Sequence, residues 1–463
     1  MRPRAFGIMR ARGISARILR RWCGAAPSSG TAAFLIRRVS LAALSVLIIL
    51  ISLITAPGPA KAVELWSSEG GERHYSLDAS LKSTWLLSHA PGDTVLNPER
   101  WSSATLWRMR LVLRGRPAPW LSGEVAYEQR ARTVSESSGA GAGAALLPSE
   151  VDAPYRLSQL DRTLVEVGGT FSYRHELDRA SLAAYLGRTE IVVGRQAIGW
   201  GRGLLFGAVD IFAPFTPLES DREWRRGIDA VRGSILLTDL ISLDAVAALG
   251  ESLDASCVAA RLRGYIGNID GELIAGRRYE DYLYAATASA PVWEAEVHGE
   301  AALFDLPEPL PQGGLLGNDE LVAKLVLGGS YVFDVGNGLW VFAEYHYSGF
   351  GLRDIEQAGS LLEEGTVRER FVRGDTQILG RHAGALQATY GLGALASPGM
   401  TFIFSPADGS GVLIPALSWL FSDNLTLAAT LYLPYGRKPE SGVLRSEYGG
   451  TPASGLVQMS FYY

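Results

Sequence analysis

From about residue 75 to its last residue the chain is one short alternating segment after another, and no other feature restricts its fold as tightly. WRMRLVLR puts Trp107, Met109, Leu111 and Leu113 on one face and Arg108, Arg110 and Arg114 on the other. WEAEVHGEAAL sets Trp293, Ala295, Val297, Ala301 and Leu303 against Glu294, Glu296, His298 and Glu300. LWVFAEYHY sets Val341, Ala343, Tyr345 and Tyr347 against Glu344 and His346, and LTLAATLYL sets Leu425, Leu427, Leu431 and Leu433 against Thr426, Thr430 and Tyr432. A period of two means strands with unlike faces. Each segment is close to the roughly 10 residues of a tilted membrane strand.

Alternation alone also fits a water-soluble sandwich with its apolar face inward. Three features favour a membrane barrel instead. The strands continue to the last residue without a domain break. Connections with turn chemistry (116–118, 187–188, 238–239, 267–268, Pro291, 336–337, 396–398 and 422–424) alternate with long ones (89–99, 131–175, 197–226, 305–319, 350–377 and 435–451), as the two rims of an outer-membrane barrel require. Aromatic residues such as Trp101, Trp107, Trp120, Trp293, Trp340, Tyr345 and Tyr347 gather at strand ends, where interfacial girdles lie.

Strand starts near 75, 103, 120, 177, 189, 228, 241, 257, 269, 282, 292, 321, 338, 380, 399, 411, 425 and 454 predict an all-β, antiparallel up-and-down transmembrane barrel of 18 strands, or 16 if short segments merge. An even number leaves both termini on the short-turn side, which is the periplasm.

The first 62 residues read differently. All ten basic residues before Val63 lie in a stretch without Asp or Glu, residues 39–55 are almost wholly apolar, and Ala60-Lys61-Ala62 supplies small residues for a peptidase. The expectation is a secretory signal peptide over 1–62, removed after Ala62, with the barrel over 63–463. An uncleaved anchor is the alternative, disfavoured because the apolar run is short for a span. Arg37-Arg38 fits a twin-arginine signal or an ordinary basic region. The basic region is also as long as a start codon read upstream of the true one would make it.

Losing ten basic and no acidic residues takes the formal charge from −5 to −15, so nucleic acid is not an expected partner. Cys23 leaves with the leader and Cys257 remains alone, which excludes a disulfide framework.

Catalytic signatures are thin. The six histidines are scattered without metal-ligand spacing, and neither a G-x-S-x-G elbow nor a phosphate loop is present. No catalytic residue, metal or cofactor is expected. An outer-membrane enzyme with a Ser and a His near the membrane boundary is the least favoured class.

The lumen is the expected site. If the apolar faces meet lipid, the opposite faces line the interior, because Arg or Lys at mid-bilayer costs roughly 2–4 kcal/mol. This places Arg108, Arg110, Arg114, Arg179, Arg261 and Arg263 inside, with Glu294, Glu296, Glu300 and Glu344 on a later wall. Such walls select a permeant by charge; the alternative is a salt-bridged filling that holds the barrel shut.

The 197–226 loop is expected to fold into the mouth. It carries Trp200, Arg202, Asp210, Asp221, Arg222, Arg225 and Arg226, with Pro214 and Pro217 limiting its flexibility. It serves either as a selective constriction or as a structural plug. Arg195 is ambiguous, since strand parity sets it with Ile191 and Val193. The Gly- and Ala-rich stretch 137–150 reads as mobile and exposed, and IEQAGSLLEEGTVRERF as a short helix over the mouth.

Two resemblances follow. In GLVQMSFYY, Val457, Met459, Phe461 and Tyr463 alternate and end on an aromatic, which resembles the C-terminal signal of Gram-negative outer-membrane proteins and implies handling by the barrel assembly machinery. GRQAIGWGRG, DIFAPFTP and DREWRRGIDAVRG, followed by EYHYSGFG and DGSGVLIPALSWLFSDNLTL, resemble porin-like outer-membrane channels, alginate-export-type barrels among them. That resemblance implies the fold and general role of a channel in bacterial outer-membrane lipid and names no substrate; the charged lumen makes a small polar solute the expected permeant. An export or assembly barrel for an acidic polysaccharide is the alternative function.

Overall fold

The structure, a computed structural model, describes residues 63–463 apart from 69, 136–145, 149–152, 158–159 and 364; the expected signal peptide lies outside the described residues. Among the described residues twenty strands form one antiparallel sheet. In chain order they are β1 (Val63–Ser67), β2 (His74–His89), β3 (Trp101–Ala118), β4 (Leu121–Val134), β5 (Arg162–Val167), β6 (Phe171–Leu186) and β7 (Thr189–Gln196). Then come β8 (Ile228–Leu236), β9 (Ile241–Ala248), β10 (Cys257–Ile266), β11 (Ile269–Arg278), β12 (Asp281–Val292) and β13 (Ala295–Asp305). The last are β14 (Leu321–Phe333), β15 (Leu339–Ser348), β16 (His382–Tyr390), β17 (Ala396–Phe404), β18 (Gly411–Ser422), β19 (Leu425–Tyr435) and β20 (Ala453–Tyr462).

Two of these are short side strands, β1 on the start of β2 and β5 on the start of β6. The remaining eighteen close a ring, in which β4 passes over to β6 and β20 returns to β2, from Ser80 opposite Tyr462 to His89 opposite Ala453. Closure leaves no open edge in the ring, the condition for a sheet to lie in hydrocarbon.

The faces sort as a membrane demands. Leu182, Val258, Leu273, Leu327, Leu431 and Val457 are exposed on the outer wall, while Arg108, Glu128, Glu272, Glu300 and Glu344 are buried on the inner one. No helix among the described residues is long and apolar enough to cross a membrane; the strands do that work. Exposed Trp101 stands at the long-loop rim, and exposed Trp120 and Trp293 stand in turns of the opposite rim.

Several local expectations need correction. Pro291 and Pro398 lie inside β12 and β17 rather than in turns, and the turns fall at 293–294 and 391–395. Each proline sits where its strand overhangs one neighbour: β11 pairing ends at Ser289 and β16 pairing at Gly399, so no partner there asks for the missing N–H. β6 starts at Phe171 instead of 177, because Gly168 and Gly169 turn the chain so that β5 extends the hairpin. Most of the 137–150 stretch lies outside the described residues, but Leu146 and Leu147 are buried, not exposed, packed in the same apolar cluster as Phe206, Val209 and Phe212. The expected helix over the mouth is present as two short ones, α1 (Ala358–Glu363) and α2 (Gly365–Val372).

Candidate functional site

The segment between β7 and β8, residues 197–227, is bonded to opposite walls of the ring. Its tip is held by two carboxylates. Glu300 of β13 accepts backbone N–H bonds from Arg202, Gly203 (2.7 Å), Ala208 (2.7 Å) and Val209 (3.3 Å). Glu344 of β15 accepts from Leu204 (2.9 Å), Leu205 (3.0 Å) and Phe206 (2.9 Å), and His298 Nε2 lies 3.1 Å from it. Gln377 Oε1 takes the N–H of Gly207 at 2.8 Å. A run of backbone N–H groups wrapped around anions makes the tip a nest, with the wall supplying the charge. The path depends on Gly203, where a Cβ would stand 1.9 Å from the Phe206 carbonyl oxygen. Phe206 also stacks on buried His346, with ring centroids 5.0 Å apart.

The returning end of the segment meets the far wall. Asp221 lies between Lys82 Nζ (2.8 Å) and Arg108 Nη1 (3.0 Å), with Gln458 Nε2 at 3.3 Å. Burial raises the Asp221 carboxyl, but Arg108 and Lys82 outweigh it and hold the group below the usual carboxylate range. Glu223 meets Lys82 at 2.7 Å and accepts from the Tyr462 hydroxyl at 2.6 Å. The Trp224 ring takes Lys82, Arg108 and Arg110 at 4.0, 4.9 and 5.1 Å, cation–π range for all three.

Inside the segment Arg222 and Arg225 brace the turns. Arg222 donates to the carbonyls of Leu204, Leu205 and Thr216. Arg225 donates to the Ala213 carbonyl at 2.7 Å and pairs with Asp210, whose carboxyl burial pushes up against the pull of that arginine. Arg226 is pushed down to about 10 by burial, against the attraction of Glu176. Trp200 is buried edge-on against Phe212 at 5.0 Å.

The wall residues expected in the lumen fall into three groups. Arg108 and Arg110 share Glu128 (3.1 and 3.4 Å), and Arg110 with Arg179 shares Asp178 (both 2.7 Å). Across the ring Arg202 reaches Asp270 (2.9 Å), Thr287 and Ser289, Arg261 pairs with Asp244 (2.6 Å) and Glu272, and Arg263 pairs with Asp270 (2.6 Å). Nearer the short-turn rim, Arg114 meets Asp78 and Glu124 and is about half exposed (49%), and exposed Glu296 faces His298 Nδ1 at 3.3 Å. Glu294 stands outside the strand, in the 293–294 turn, exposed and accepting from the Tyr331 hydroxyl at 2.7 Å. A cavity of about 480 Å³ opens on that side, lined by Arg110, Arg114, Arg179, Arg225, Glu124 and Trp224.

Arg195 is covered although strand parity sets it with exposed Ile191 and Val193. The pairing of β7 with β6 and β8 runs through Gly194, at φ +111°, and Arg195 without a shift. Arg195 lies buried, bonded to Asp229 (2.8 Å) and the Leu177 carbonyl (2.9 Å).

No protein-family model matches the chain, and no curated protein matches it in sequence. Solved structures do match. The chain is similar to Pseudomonas aeruginosa OccK9 (OpdG), with a TM-score of 0.50 and 11% identity over 84% of this chain and 98% of that one. It is similar to Salmonella typhi OmpF in complex with daunomycin (TM-score 0.44, 12% identity, 87% and 100% covered) and to Pseudomonas putida OprB at low pH (0.31, 10%, 84% and 92%). The fold is that of an outer-membrane porin barrel. At 11% identity the shared property is the path of the chain, so the function rests on this barrel's own residues.

Sequence reasoning missed several of those residues. Lys82 sits in DASLKST, a weakly alternating stretch whose lysine is the inward partner of the loop acid. Gln377, Asp281 and Asp375 escaped because loop and strand-end positions carry no periodicity; Asp281 and Asp375 accept from Arg370 of α2 at 2.9 and 3.3 Å. No group of His, Cys, Asp and Glu able to hold a metal occurs among the described residues.

Proposed function

We propose that the chain is an outer-membrane channel for passive diffusion of small polar or charged solutes, its lumen narrowed by the 197–227 segment. The observation that carries the reading is the seven-fold capture of that segment's backbone by Glu300 and Glu344, with Asp221 and Glu223 fastened on the opposite side. A chain bonded across a polar interior leaves a solute to pass beside it, between side chains of both signs. At the short-turn cavity Arg110, Arg114, Arg179 and Arg225 stand among Asp78, Glu124 and Glu223, a lining of both signs that suits a small polar or charged solute. In this reading the leader is removed after Ala62, the termini lie in the periplasm, and the C-terminal strand β20 is presented to the assembly machinery.

Planar-bilayer recording of the purified protein tests the proposal. A small, steady conductance is expected, rising when residues 202–209 are replaced by a short Gly-Ser linker. No conductance in either protein, together with a periplasmic partner captured by crosslinking, would favour an export barrel instead.

A further inference from the structure

At the long-loop rim a second cavity, about 440 Å³, lies between the connections 349–381, 405–410 and 436–452. Arg353, Arg381, Arg437 and Arg445 line it with His382. Arg437 and Arg445 share one carboxylate, Glu356, at 3.4 and 3.3 Å. Arg381 bonds the carbonyls of Gly351, Gln312 and Gly313, which satisfy its donors without cancelling its charge. Arg353 is exposed and forms no hydrogen bond or ion pair among the described residues. Burial, with the like charge of Arg353 adding to it, holds Arg381 below the usual arginine range.

Two carboxylates, Asp354 and Asp408, line the same cavity and are held by hydrogen-bond donors of the rim. Asp354 accepts the N–H of Glu356 at 3.0 Å. Asp408 accepts from Ser410 N and Oγ (2.9 and 2.7 Å) and from the N–H of Glu447 (2.6 Å). Four arginines thus face three carboxylates, Asp354, Asp408 and Glu356, which leaves positive charge in excess by one.

The location narrows the ligand. His382 lies on the outer face of β16, since its neighbour Ala383 is buried inward, and its Nδ1 is 2.7 Å from the hydroxyl of outward-facing Tyr345. The Tyr347 ring is 5.2 Å from it, and along the adjoining outer wall Phe402 stacks on Phe404 and Tyr435 at 5.4 and 6.0 Å. An outward aromatic row marks the level of lipid head groups. Guanidinium forks at that level match phosphate oxygens in pairs.

We propose that this rim cavity is a phosphate-binding site, filled by the head group of a lipid in the surrounding leaflet and separate from the solute path. The test uses the full-length mature protein in nanodiscs of phosphatidylcholine, with and without phosphatidic acid, and in phosphatidylcholine alone with inorganic phosphate against chloride at equal ionic strength. Unfolding midpoints are followed for the wild type and for R353Q/R437Q, both exposed positions whose loss leaves the barrel folded and its conductance unchanged. Phosphatidic acid is expected to raise the wild-type midpoint, and the variant to need at least about tenfold more of it, the loss of one charge-assisted bond. A wild-type response to inorganic phosphate alone, absent in the variant, supports the site and makes a free phosphate its source. Equal responses in the two proteins, or none to either probe, overturn it.

Discussion

Asp221 and Lys82 are 139 residues apart in sequence, yet their side chains meet at 2.8 Å inside the ring, both almost fully buried. This pair, with Arg108 on the same carboxylate, fastens the crossing segment to the wall where the sheet closes. Removing one partner of such a pair strands the other charge, at a cost of about 3–5 kcal/mol. Asp221→Asn and Lys82→Met should each lower resistance to chemical unfolding in detergent, and the double variant should lose clearly less than their sum. Strictly additive losses would show that the two groups do not act as a pair.

At the other end, Glu300→Gln and Glu344→Gln replace a carboxylate oxygen by an amide that points its own N–H groups at backbone N–H. Each N–H left without an acceptor costs about 1–3 kcal/mol. The ring is untouched, so the barrel should stay folded while single-channel current rises and becomes noisier. An unchanged, quiet current in the double variant would mean that the segment does not limit passage.

Arg110 and Arg179 face the cavity near the short-turn rim while sharing Asp178. Arg179→Glu, alone and with Arg110→Glu, should move the reversal potential in a salt gradient toward cation preference. The shift should shrink at high salt, where screening is stronger. No movement at low salt would place permeating ions elsewhere.

Glu447 joins three long connections: it accepts from the N–H groups of Leu379 (2.7 Å) and Gly380 (2.5 Å), and its own N–H goes to Asp408. Burial, helped by the Asp408 charge, pushes its carboxyl from 4.5 up to about 7. The folded chain therefore holds a proton that the unfolded chain releases between those values. The stabilisation is complete below about 4.5 and lost as pH rises through about 7. Proteolysis of the 436–452 connection should accelerate as pH rises from about 4.5 to about 7 and level off above it, and Glu447→Gln should flatten that dependence. A wild-type cleavage rate that does not change across this range would remove Glu447 from the clasp.

Much of the wall is legible in the sequence. Trp107, Met109 and Leu111 alternate with Arg108 and Arg110 because a strand turns each residue to the opposite face, so the periodicity reports the surroundings of each side chain directly. Arg195 shows where that stops: it is in step with exposed Ile191 and Val193 yet lies buried on Asp229 and the Leu177 carbonyl, partners that leave no periodic signal. Pro291 and Pro398 misled for a related reason, since a proline is compatible with a strand wherever the neighbour has already ended.

The sequence by itself determined the strands, their unlike faces and the alternation of short and long connections, because each is a local property read over about ten residues. Only the tertiary structure decided that β20 closes on β2, that Glu300 and Glu344 hold backbone rather than face an open pore, and that Asp221 finds Lys82. Those partners are brought together by ring closure and by a loop folded through the interior. Charge at one position carries no record of which distant charge will neutralise it.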